Sequence, residues 1–536
     1  MLLYAIIFLS GGAILALELL ASRIMAPYFG VSLYIWTGIL SITLVALALG
    51  YRLGGRLAAG GASGAPGMGR LLRLYALMPA LAAIAIVAAC LAYPYTFTTL
   101  ANTSLVLGAF AACMVLLFIP LVAASAMNPL LVAIQLHDRK NAGMGDAGAG
   151  KVFFVSTMGS VAGVLVTAFG LIPYVSNFSG VLVVALVLAL LSLAAVLFAP
   201  AQVTGQYTVG ATGVAAGLLA ALLLWNADAY TGRQGPFGSG AGEWQVEATY
   251  RSLFGTVKVL RSAADPQTGR FERRYFQDGL TQNAADSANR STSFYTYGLE
   301  ALARAYRPHM HGALVLGLGA GIVPMRLAEA GVPVEVVEID PVARAVAQRF
   351  FGFNARKAPT HLADARTFLR GCNGNYDVVI VDLFHGDGTP DYLVTREFFR
   401  DLRVCLTDGG IAVFNTFADL TRPAGYAHFL VTLKTELPHL ALYRPQGHGS
   451  YINSFVVAAR EPLPKPATVT FDYVPPHHSQ TLWNMLSAPT PLTAELLAGG
   501  RVVTDARNAA AHDYAQTQIT YRRTVIESAP PGLLVN

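Results

Sequence analysis

Acidic residues are almost absent from the first part of this chain. Residues 1–227 contain only three acids, Glu18, Asp138 and Asp146, whereas the whole 536-residue chain contains 31. So few charges exclude an ordinary soluble domain for this region, because a folded surface in water is rich in charged side chains. The region consists instead of long apolar windows, near residues 2–22, 32–50, 74–94, 104–124, 152–172, 179–199 and 207–226. Each window is long enough to cross a hydrocarbon core of roughly 30 Å as a helix, which predicts a transmembrane helical domain over residues 1–227.

Cysteine is also scarce. The four cysteines, Cys90, Cys113, Cys372 and Cys405, are scattered along the chain. Their spacing shows neither a metal-ligand set nor a disulfide framework. The formal net charge of +6 comes largely from bases that flank the apolar windows. This placement indicates contact with the lipid bilayer rather than with nucleic acid.

The composition changes after residue 227. Residues 228–243 are rich in glycine and lack hydrophobic periodicity, which is typical of a linker. Short alternating runs over 244–290 predict a small β subdomain, and from 291 to 460 strands and helices alternate. The alternation predicts an α/β fold, a doubly wound Rossmann-like sheet with its ligand at the carboxyl ends of the strands. Residues 461–536 are rich in proline, threonine and alanine, and we assign them no role.

A glycine loop marks the expected binding site of this α/β domain. The sequence ALVLGLGAGIVPM places Gly317, Gly319 and Gly321 after a buried strand and before a helix. Glycines permit a tight turn and a close approach of the backbone to a ligand, and the helix N-terminus offers free N–H groups. Glu338 ends the next strand, where a carboxylate can accept both hydroxyls of a ribose. The pattern predicts a nucleoside-binding βαβ unit.

Further polar residues follow the later strands. Asp364 comes after a strand and precedes a helix, a position from which it can accept a hydrogen bond from an adenine amino group. Asp382 stands at the tip of the buried strand YDVVIVD, and His385 and Asp387 follow it on a loop. Because no Walker loop and no pattern that demands NAD accompanies these residues, S-adenosylmethionine chemistry fits best.

The chain resembles the spermidine synthase family of polyamine aminopropyltransferases, in particular a bacterial branch in which such a domain follows a multi-span membrane region. The resemblance lies in FQDGLTQ (276–282), VEIDP (337–341), ADAR (363–366) and YDVVIVD (376–382), and in ELLASRIMAPYFG and FFVSTMGSVAGV of the membrane half. It implies that Gln282, Glu338, Asp364 and Asp382 bind the nucleoside and that Asp278 faces the active centre. It also implies S-adenosylmethionine or its decarboxylated form as substrate, without a metal.

Some residues depart from the family's pattern. Ala320 stands where polyamine synthases carry an acid that binds the amine of the donor, and His385 stands in place of the catalytic acid. The acidic pair expected after the QDG turn is replaced by Ser291, Thr292 and Ser293. Without the first acid, the pocket better tolerates the α-carboxylate of intact S-adenosylmethionine. A neutral imidazole can deprotonate an amine, but it anchors a diammonium substrate poorly.

These observations predict a membrane-bound, spermidine synthase-like transferase. We expect it to cleave the aminoalkyl arm from the sulfonium and to release methylthioadenosine, by aminopropyl transfer to an amine or by intramolecular elimination or cyclisation. Asp382, His385 and Asp278 are the expected catalytic residues. Two alternatives stay open: a methyltransferase, and a transporter or sensor with a regulatory domain that binds S-adenosylmethionine.

We expect a multi-pass protein of the bacterial inner membrane, with the possibility of a homo-oligomer. Bases in the loops near 52–73 and 139–151 place these loops, and with them the N-terminus, in the cytoplasm. Seven crossings would then leave the α/β domain outside, away from the cytoplasmic adenosyl compounds. We therefore expect a cytoplasmic α/β domain and one apolar window that is re-entrant or miscounted.

Overall fold

The computed structural model describes most of the chain in two compact units. The described residues are 1–31, 33–59, 67–137, 145–197, 205–232, 237, 243–384, 388–419, 423–445, 451–470, 473–508, 513, 517–518, 521–523, 526 and 530–536. One unit comprises Met1–Phe237 together with Arg523–Asn536, and the other comprises Gly238–Arg522. In sequence, the second unit is therefore inserted between two parts of the first.

The first unit is built from helices. Their bounds are α1 (Leu2–Phe29), α2 (Leu33–Ala59), α3 (Met68–Thr103), α4 (Leu105–Cys113), α5 (Ile119–His137), α6 (Gly145–Val166), α7 (Asn177–Leu197), α8 (Gln206–Trp225) and α9 (Ala227–Gly232). A π-helical turn, Met114–Phe118, joins α4 to α5. Within the described ranges, seven helices are long and apolar enough to cross a membrane, with α4 and α5 counted as one. They coincide with the seven apolar windows. The lengths and composition of these helices therefore give no reason to regard one window as re-entrant.

Small residues bring α1 and α6 into close contact. Gly12 on α1 lies against Gly159 and Gly163 on α6, where an added Cβ at Gly163 would overlap the backbone of Gly12. The hydroxyl of Ser160 donates to the carbonyl oxygen of Gly11 at 2.9 Å. In lipid, helix association depends on such close packing and on interhelical hydrogen bonds, because the lipid tails are as apolar as the side chains. The contact therefore requires glycine on both helices.

The C-terminal residues return to this helical unit. A 3-10 turn covers Pro531–Leu534, and Leu533 and Leu534 are buried. The backbone N–H of Phe178 donates to the carbonyl oxygen of Asn536 at 3.1 Å. The side-chain amide of Asn536 donates to the carbonyl oxygen of Arg23 at 3.4 Å. The last residues of the tail thus pack with the membrane-type helices.

The second unit begins with a small antiparallel sheet. Its strands, in spatial order, are β1 (Trp244–Ser252), β2 (Gly255–Ser262), β3 (Glu272–Gln277) and β4 (Leu280–Asp286). Asp278 and Gly279 connect β3 to β4 with φ angles of 44° and 88°. Positive φ at both residues of an Asp-Gly pair is typical of the tight turns that match the twist of a β-hairpin. The β subdomain of the predicted fold is present.

A mixed seven-stranded sheet forms the centre of the second unit. Its strands are β5 (Ala313–Leu316), β6 (Val334–Glu338), β7 (Thr360–Leu362), β8 (Tyr376–Val381), β9 (Leu406–Asp419), β10 (His439–Tyr443) and β11 (Tyr451–Ala459). Their spatial order is β10-β11-β9-β8-β5-β6-β7. Strands β5 to β9 run parallel, and β11 is antiparallel to both β9 and β10. The Rossmann-like fold predicted from the sequence is confirmed.

Both faces of this sheet are covered by helices. They are α10 (Phe294–Tyr306), α11 (Ile322–Glu329), α12 (Pro341–Phe350), α13 (Ala365–Leu369), α14 (Arg396–Cys405), α15 (Pro423–Glu436), α16 (Pro476–Ser487) and α17 (Ala494–Leu497). Successive residues of β8 alternate between two buried clusters: Val378 and Ile380 lie in one, Val379 and Val381 in the other. Burial on both faces explains why the strand is a continuous apolar run rather than an alternating one.

Two cysteines form a disulfide, which corrects our interpretation of the cysteine spacing. Cys372 follows α13 and Cys405 ends α14, with 4.9 Å between their Cα atoms. The sequence spacing of 33 residues gave no sign of the pair. Its residues meet because the chain after α13 pairs with the end of α14: the N–H of Asn375 donates to the carbonyl oxygen of Cys405 at 3.0 Å. Of the other cysteines, Cys90 and Cys113 are buried and free.

Candidate active site at the strand ends

A cavity of about 470 Å³ lies at the carboxyl ends of the parallel strands. The strand order turns at this point, since β6 and β7 extend to one side of β5 while β8 and β9 extend to the other. Doubly wound sheets bind their ligands at such switch points, in pockets of about 300–1,000 Å³. The wall brings together six of the residues singled out from the sequence: Gln282, Gly317, Gly319, Glu338, Asp364 and Asp382.

The loop between β5 and α11 needs its glycines for conformation and for space. Gly317, Gly319 and Gly321 have φ angles of 92°, 51° and 76°, a left-handed region that is easily reached only by glycine. An added Cβ at Gly317 would overlap the carbonyl oxygen of Asp382 on the neighbouring strand. An added Cβ at Gly321 would press on the ring of Phe353, and Gly321 packs there rather than in the cavity wall.

Glu338 is fixed by the backbone at the end of β6. Its Oε2 accepts from the N–H of Leu318 at 2.9 Å, and its Oε1 accepts from the N–H of Asp340 at 2.8 Å. Burial raises the pKa of the Glu338 carboxyl above its ordinary value, and these backbone donors offset part of the rise. An ionised carboxylate has about four acceptor positions, so each oxygen can still accept a bond from a ligand hydroxyl.

Asp364 caps helix α13 and at the same time borders the cavity. Its Oδ1 accepts from the N–H of Thr367 at 2.8 Å, as an N-cap residue does. Its Oδ2 accepts from the hydroxyl of Tyr392 at 2.9 Å, and Tyr392 also lines the cavity. The two contacts fix the carboxylate at the edge formed by β7, next to Glu338 on β6.

Asp382 lies in the middle of the wall and belongs to a short chain of amides. The side-chain amide of Asn415 donates to Asp382 Oδ1 at 2.9 Å, and that of Asn453 donates to Asn415 Oδ1 at 3.0 Å. Burial raises the pKa of the Asp382 carboxyl to about 6, although the bond from Asn415 lowers it. A carboxyl with this pKa can accept a proton at neutral pH.

The other predicted residues divide between the cavity and its surroundings. Gln282 lines the cavity, and its backbone carbonyl oxygen accepts from the hydroxyl of Tyr295 at 3.0 Å. The structure does not bring Asp278 into the cavity wall: Asp278 lies in the turn between β3 and β4, and its Oδ1 accepts from the N–H of Thr256 on β2 at 3.0 Å. The predicted catalytic residue His385 and the neighbouring Asp387 lie outside the described residues.

Of the positions that depart from the family's pattern, some lie in the cavity wall and others lie outside it. Ser293 lines the cavity, whereas the buried Ser291 donates to the carbonyl oxygen of Ser293 at 3.2 Å. Ala320 is fully buried in the cluster that includes Val257 and Tyr275, on the side of the glycine loop that faces the small sheet. An acid introduced at position 320 would therefore be buried among apolar side chains.

Sequence reasoning missed several residues of the wall. Asn415 and Phe417 lie on β9, Asn453 lies on β11, and Tyr521 lies in the C-terminal tail. An asparagine near the carboxyl end of a parallel strand was a usable signal for Asn415. Nothing in the local sequence pointed to Tyr521, because its ring reaches the wall only through a tertiary contact, 5.3 Å from the ring of Phe417. Within the described part of the chain, no group of three or more His, Cys, Asp or Glu residues could hold a metal.

Comparison with known proteins shows what this domain is similar to. Residues 294–423 match the model of the spermine/spermidine synthase domain. This part of the α/β domain is therefore similar to spermidine synthases. A polyamine aminopropyltransferase of Vibrio vulnificus is 37% identical over 119 residues, which are 21% of this chain and 40% of that protein. The chain thus spans less than half of this curated relative.

Methyltransferases are similar to the same domain. An N-terminal histidine N-methyltransferase of Emericella nidulans is 33% identical over 137 residues, which are 25% of this chain and 24% of that protein. Among solved structures, a probable spermidine synthase of Corynebacterium glutamicum shares 19% identity at a TM-score of 0.36, covering 51% of this chain and 94% of that one. The domain therefore has sequence relatives with both activities.

Proposed function

We propose that this protein transfers the aminoalkyl arm of S-adenosylmethionine, or of its decarboxylated form, and releases methylthioadenosine. The observation that carries this proposal is the cavity, whose wall joins the glycine loop, Glu338, Asp364 and Asp382. The named activity of the similar Vibrio vulnificus protein, polyamine aminopropyl transfer, supports it.

In this proposal, each part of the donor lies beside a different strand of the sheet. Glu338 on β6 would accept the ribose hydroxyls, and Asp364 after β7 would accept from the adenine amino group. Gly317 and Gly319 leave room for the chain that joins the ribose to sulfur, since neither has a side chain at the wall. The sulfonium would then lie close to β8 and therefore to Asp382.

The proposed reaction is a displacement at the carbon of the arm that is bonded to sulfur. The lone pair of the acceptor nitrogen forms the new N–C bond, the C–S bond breaks, and its electron pair stays on sulfur, which leaves as a neutral thioether. Asp382, with its pKa raised to about 6 by burial, takes the proton that the acceptor nitrogen loses. The sulfonium is already a good leaving group, so positioning and a base are the main contributions of the protein. Asp278 serves the turn in this proposal, and His385 is a second candidate base.

We also propose a multi-pass location in a bacterial inner membrane, with the α/β unit in the cytoplasm where adenosyl compounds are made. The seven apolar helices support the membrane location. Their odd number and the disulfide between Cys372 and Cys405 favour the opposite side for the α/β unit, since disulfides persist in oxidising compartments. Its orientation therefore needs the direct test described below.

Incubation of the purified full-length protein with S-adenosylmethionine, and separately with the decarboxylated donor, tests this function. We expect methylthioadenosine, identified by mass spectrometry, and its loss in the Glu338→Ala variant. Glu335→Ala is the matched control, because Glu335 lies on the same strand but pairs with His361 outside the cavity. Ligand binding without any product would favour the sensor or transporter alternative and refute the enzyme.

A methyltransferase is the second candidate, supported by the similarity to the Emericella nidulans protein. Such an enzyme would use the same glycine loop and Glu338, but would pass the methyl group to an acceptor. The nucleoside product separates the two functions: adenosylhomocysteine indicates methyl transfer, and methylthioadenosine indicates transfer of the aminoalkyl arm.

A further inference from the structure

Three polar side chains from neighbouring strands form a hydrogen-bonded chain in the cavity wall. Asp382 follows β8, Asn415 lies on β9 and Asn453 lies on β11, and β9 is the strand between the other two. Asn453 is opposite Phe417 in register and therefore diagonal to Asn415 on the same face of the sheet. The amide of Asn453 donates to Asn415 Oδ1 at 3.0 Å, and the amide of Asn415 donates to Asp382 Oδ1 at 2.9 Å. The chain thus connects Asp382 to a strand two positions away in the sheet.

The charge of Asp382 dictates the direction of both amides. An ionised carboxylate only accepts hydrogen bonds, whereas an amide has an NH2 donor on one side and a carbonyl acceptor on the other. Asn415 must therefore turn its NH2 to the ionised Asp382, and its Oδ1 then points away from the acid. Asn415 is buried, and a buried carbonyl oxygen without a donor is unfavourable. The NH2 of Asn453 supplies that donor.

A protonated Asp382 would suit the opposite direction. Its hydroxyl is a donor, and it would bond well to Oδ1 of an Asn415 amide that is turned around. That rotation would bring the NH2 of Asn415 against the NH2 of Asn453, and two donors cannot pair. Asn453 therefore opposes the amide direction that favours the protonated acid, and it favours the ionised acid instead.

Resting on the transfer reaction proposed above, we propose that Asn453 is a positioning residue that, through Asn415, holds Asp382 as the ionised base of that reaction. The proton lost by the acceptor nitrogen passes to Asp382, and the two amides neither give up nor take a proton. Their part is to keep a donor directed at the carboxylate, as a preorganised hydrogen bond to a charged group does. The antiparallel strand β11 thus contributes to chemistry at the ends of the parallel strands.

Other titratable groups share the cavity with Asp382. The described ones in the wall are the hydroxyls of Tyr275, Tyr295, Tyr392 and Tyr521 and the carboxyls of Glu338, Asp340 and Asp364. His385 and Asp387, which follow Asp382 in sequence, lie outside the described residues. All of these groups are identical in the variants compared below, so the test measures changes relative to the wild type and not the absolute pKa of Asp382.

The substitution Asn453→Asp replaces the donor by an acceptor of the same shape. The new carboxylate accepts from the NH2 of Asn415, which turns the carbonyl oxygen of Asn415 to Asp382, and its charge disfavours a second ionised carboxylate nearby. The pKa of Asp382 should therefore rise by at least about one unit. Formation of methylthioadenosine from the decarboxylated donor and putrescine should be about ten-fold slower than in the wild type at pH 5 and nearly equal at pH 8.5. Asn453→Ala removes the donor without adding a charge, and it should give a smaller change in the same direction.

The ratio of the variant rate to the wild-type rate separates positioning from a merely structural role. Protonation of putrescine is the same for both proteins and cancels in this ratio, whereas a structural defect would lower the ratio equally at every pH. Thr407→Val is the matched control, since the Thr407 hydroxyl on β9 donates to Asp377 Oδ1 on β8 at 2.8 Å, outside the cavity wall. Its ratio should stay constant from pH 5 to pH 8.5. Calorimetric binding of the decarboxylated donor shows that each variant is folded.

A second readout needs no turnover. The infrared band of the protonated Asp382 carboxyl, identified by its loss in Asp382→Asn, should titrate at a higher pH in Asn453→Ala than in the wild type. A rate ratio for Asn453→Asp that does not change with pH, or an unshifted infrared titration, would overturn the role of Asn453. A wild type that forms no methylthioadenosine with either donor would overturn the proposed function, and the infrared titration would then still decide whether Asn453 controls the ionisation of Asp382.

Discussion

Replacement of Asp382 by asparagine is expected to abolish turnover while it stabilises the protein at neutral pH. Asparagine has the same shape and keeps an oxygen that can accept from Asn415, whose amide donates to Asp382 Oδ1 at 2.9 Å. The change therefore removes a charge and a base without removing a hydrogen bond. Loss of the base should reduce the rate by about 10²–10⁴-fold if proton transfer from the acceptor is required.

The gain in stability follows from the raised pKa. Burial moves the pKa of the Asp382 carboxyl from 3.8 to about 6, roughly two units, and each unit corresponds to about 1.4 kcal/mol. Because the folded-state pKa is the higher one, this contribution to stability is fully present below pH 3.8 and is lost as the pH rises through about 6. At pH 7.5 the folded wild type therefore contains a buried, ionised carboxylate that lowers its stability, and the asparagine variant does not. Because Asp382 is half-buried and borders the cavity, exposure to solvent reduces this destabilisation, and we expect a difference of about 1–3 kcal/mol.

The gain in stability is measured by thermal unfolding in one detergent at pH 7.5 and at pH 5. The loss of activity is measured by the formation of methylthioadenosine. The midpoint for Asp382→Asn should exceed that of wild type at pH 7.5, and the difference should shrink at pH 5. Asp377→Asn is the matched control on β8: Asp377 accepts from the N–H of His311 at 2.7 Å and lies outside the cavity wall. The Asp377→Asn variant should show no increase in its unfolding midpoint and should retain activity. An Asp382→Asn variant that is active, or less stable than wild type at pH 7.5, would refute the reasoning.

Three further predictions concern other parts of the molecule. Glu338→Ala should weaken adenosyl-ligand binding in calorimetry by about 1.5–3 kcal/mol, the range for bonds to a charged acceptor, whereas Glu335→Ala should not. Gly163→Leu should lower the thermal stability of the helical unit, since a side chain there would overlap Gly12, without weakening nucleoside binding. A cysteine at the exposed Lys465 should react with a membrane-impermeant thiol reagent only after cells are permeabilised; labelling of intact cells would place the α/β unit outside.

The fold and the part of the cavity wall that carries the acids could be predicted because they depend on local sequence. Strand, glycine loop and helix are adjacent in the chain around Gly317, and an acid at the end of a parallel strand, such as Glu338, reaches the same edge of the sheet as its neighbours. The part of the cavity wall formed by β9, β11 and the C-terminal tail could not be predicted in this way. Tyr521 lies more than 100 residues after Phe417 in sequence, and only folding of the tail brings their rings together.

Two interpretations from the sequence needed the structure for the same reason. The disulfide joins Cys372 to Cys405 because the ends of two helices meet, which a spacing of 33 residues does not reveal. Asp278 follows a β-strand as a site acid would, but it lies in a hairpin turn and its carboxylate accepts from the N–H of Thr256 on the strand β2. In both cases the partner comes from a different element, so the local pattern alone was ambiguous.

The insertion of Gly238–Arg522 between two parts of the helical unit gives the α/β unit two attachments: a covalent one through residue 237, and a non-covalent one through the tail Arg523–Asn536, which packs with the helices. A domain on one tether is released from the membrane by a single proteolytic cut. Here a cut within 233–243 leaves the unit held only by the packing of Arg523–Asn536 on the helices, and a cut after Arg522 leaves it attached covalently through residue 237. Release after the first cut therefore also requires the tail to leave the helices or to be cut, and limited proteolysis should yield nicked but membrane-retained protein before any free α/β fragment appears.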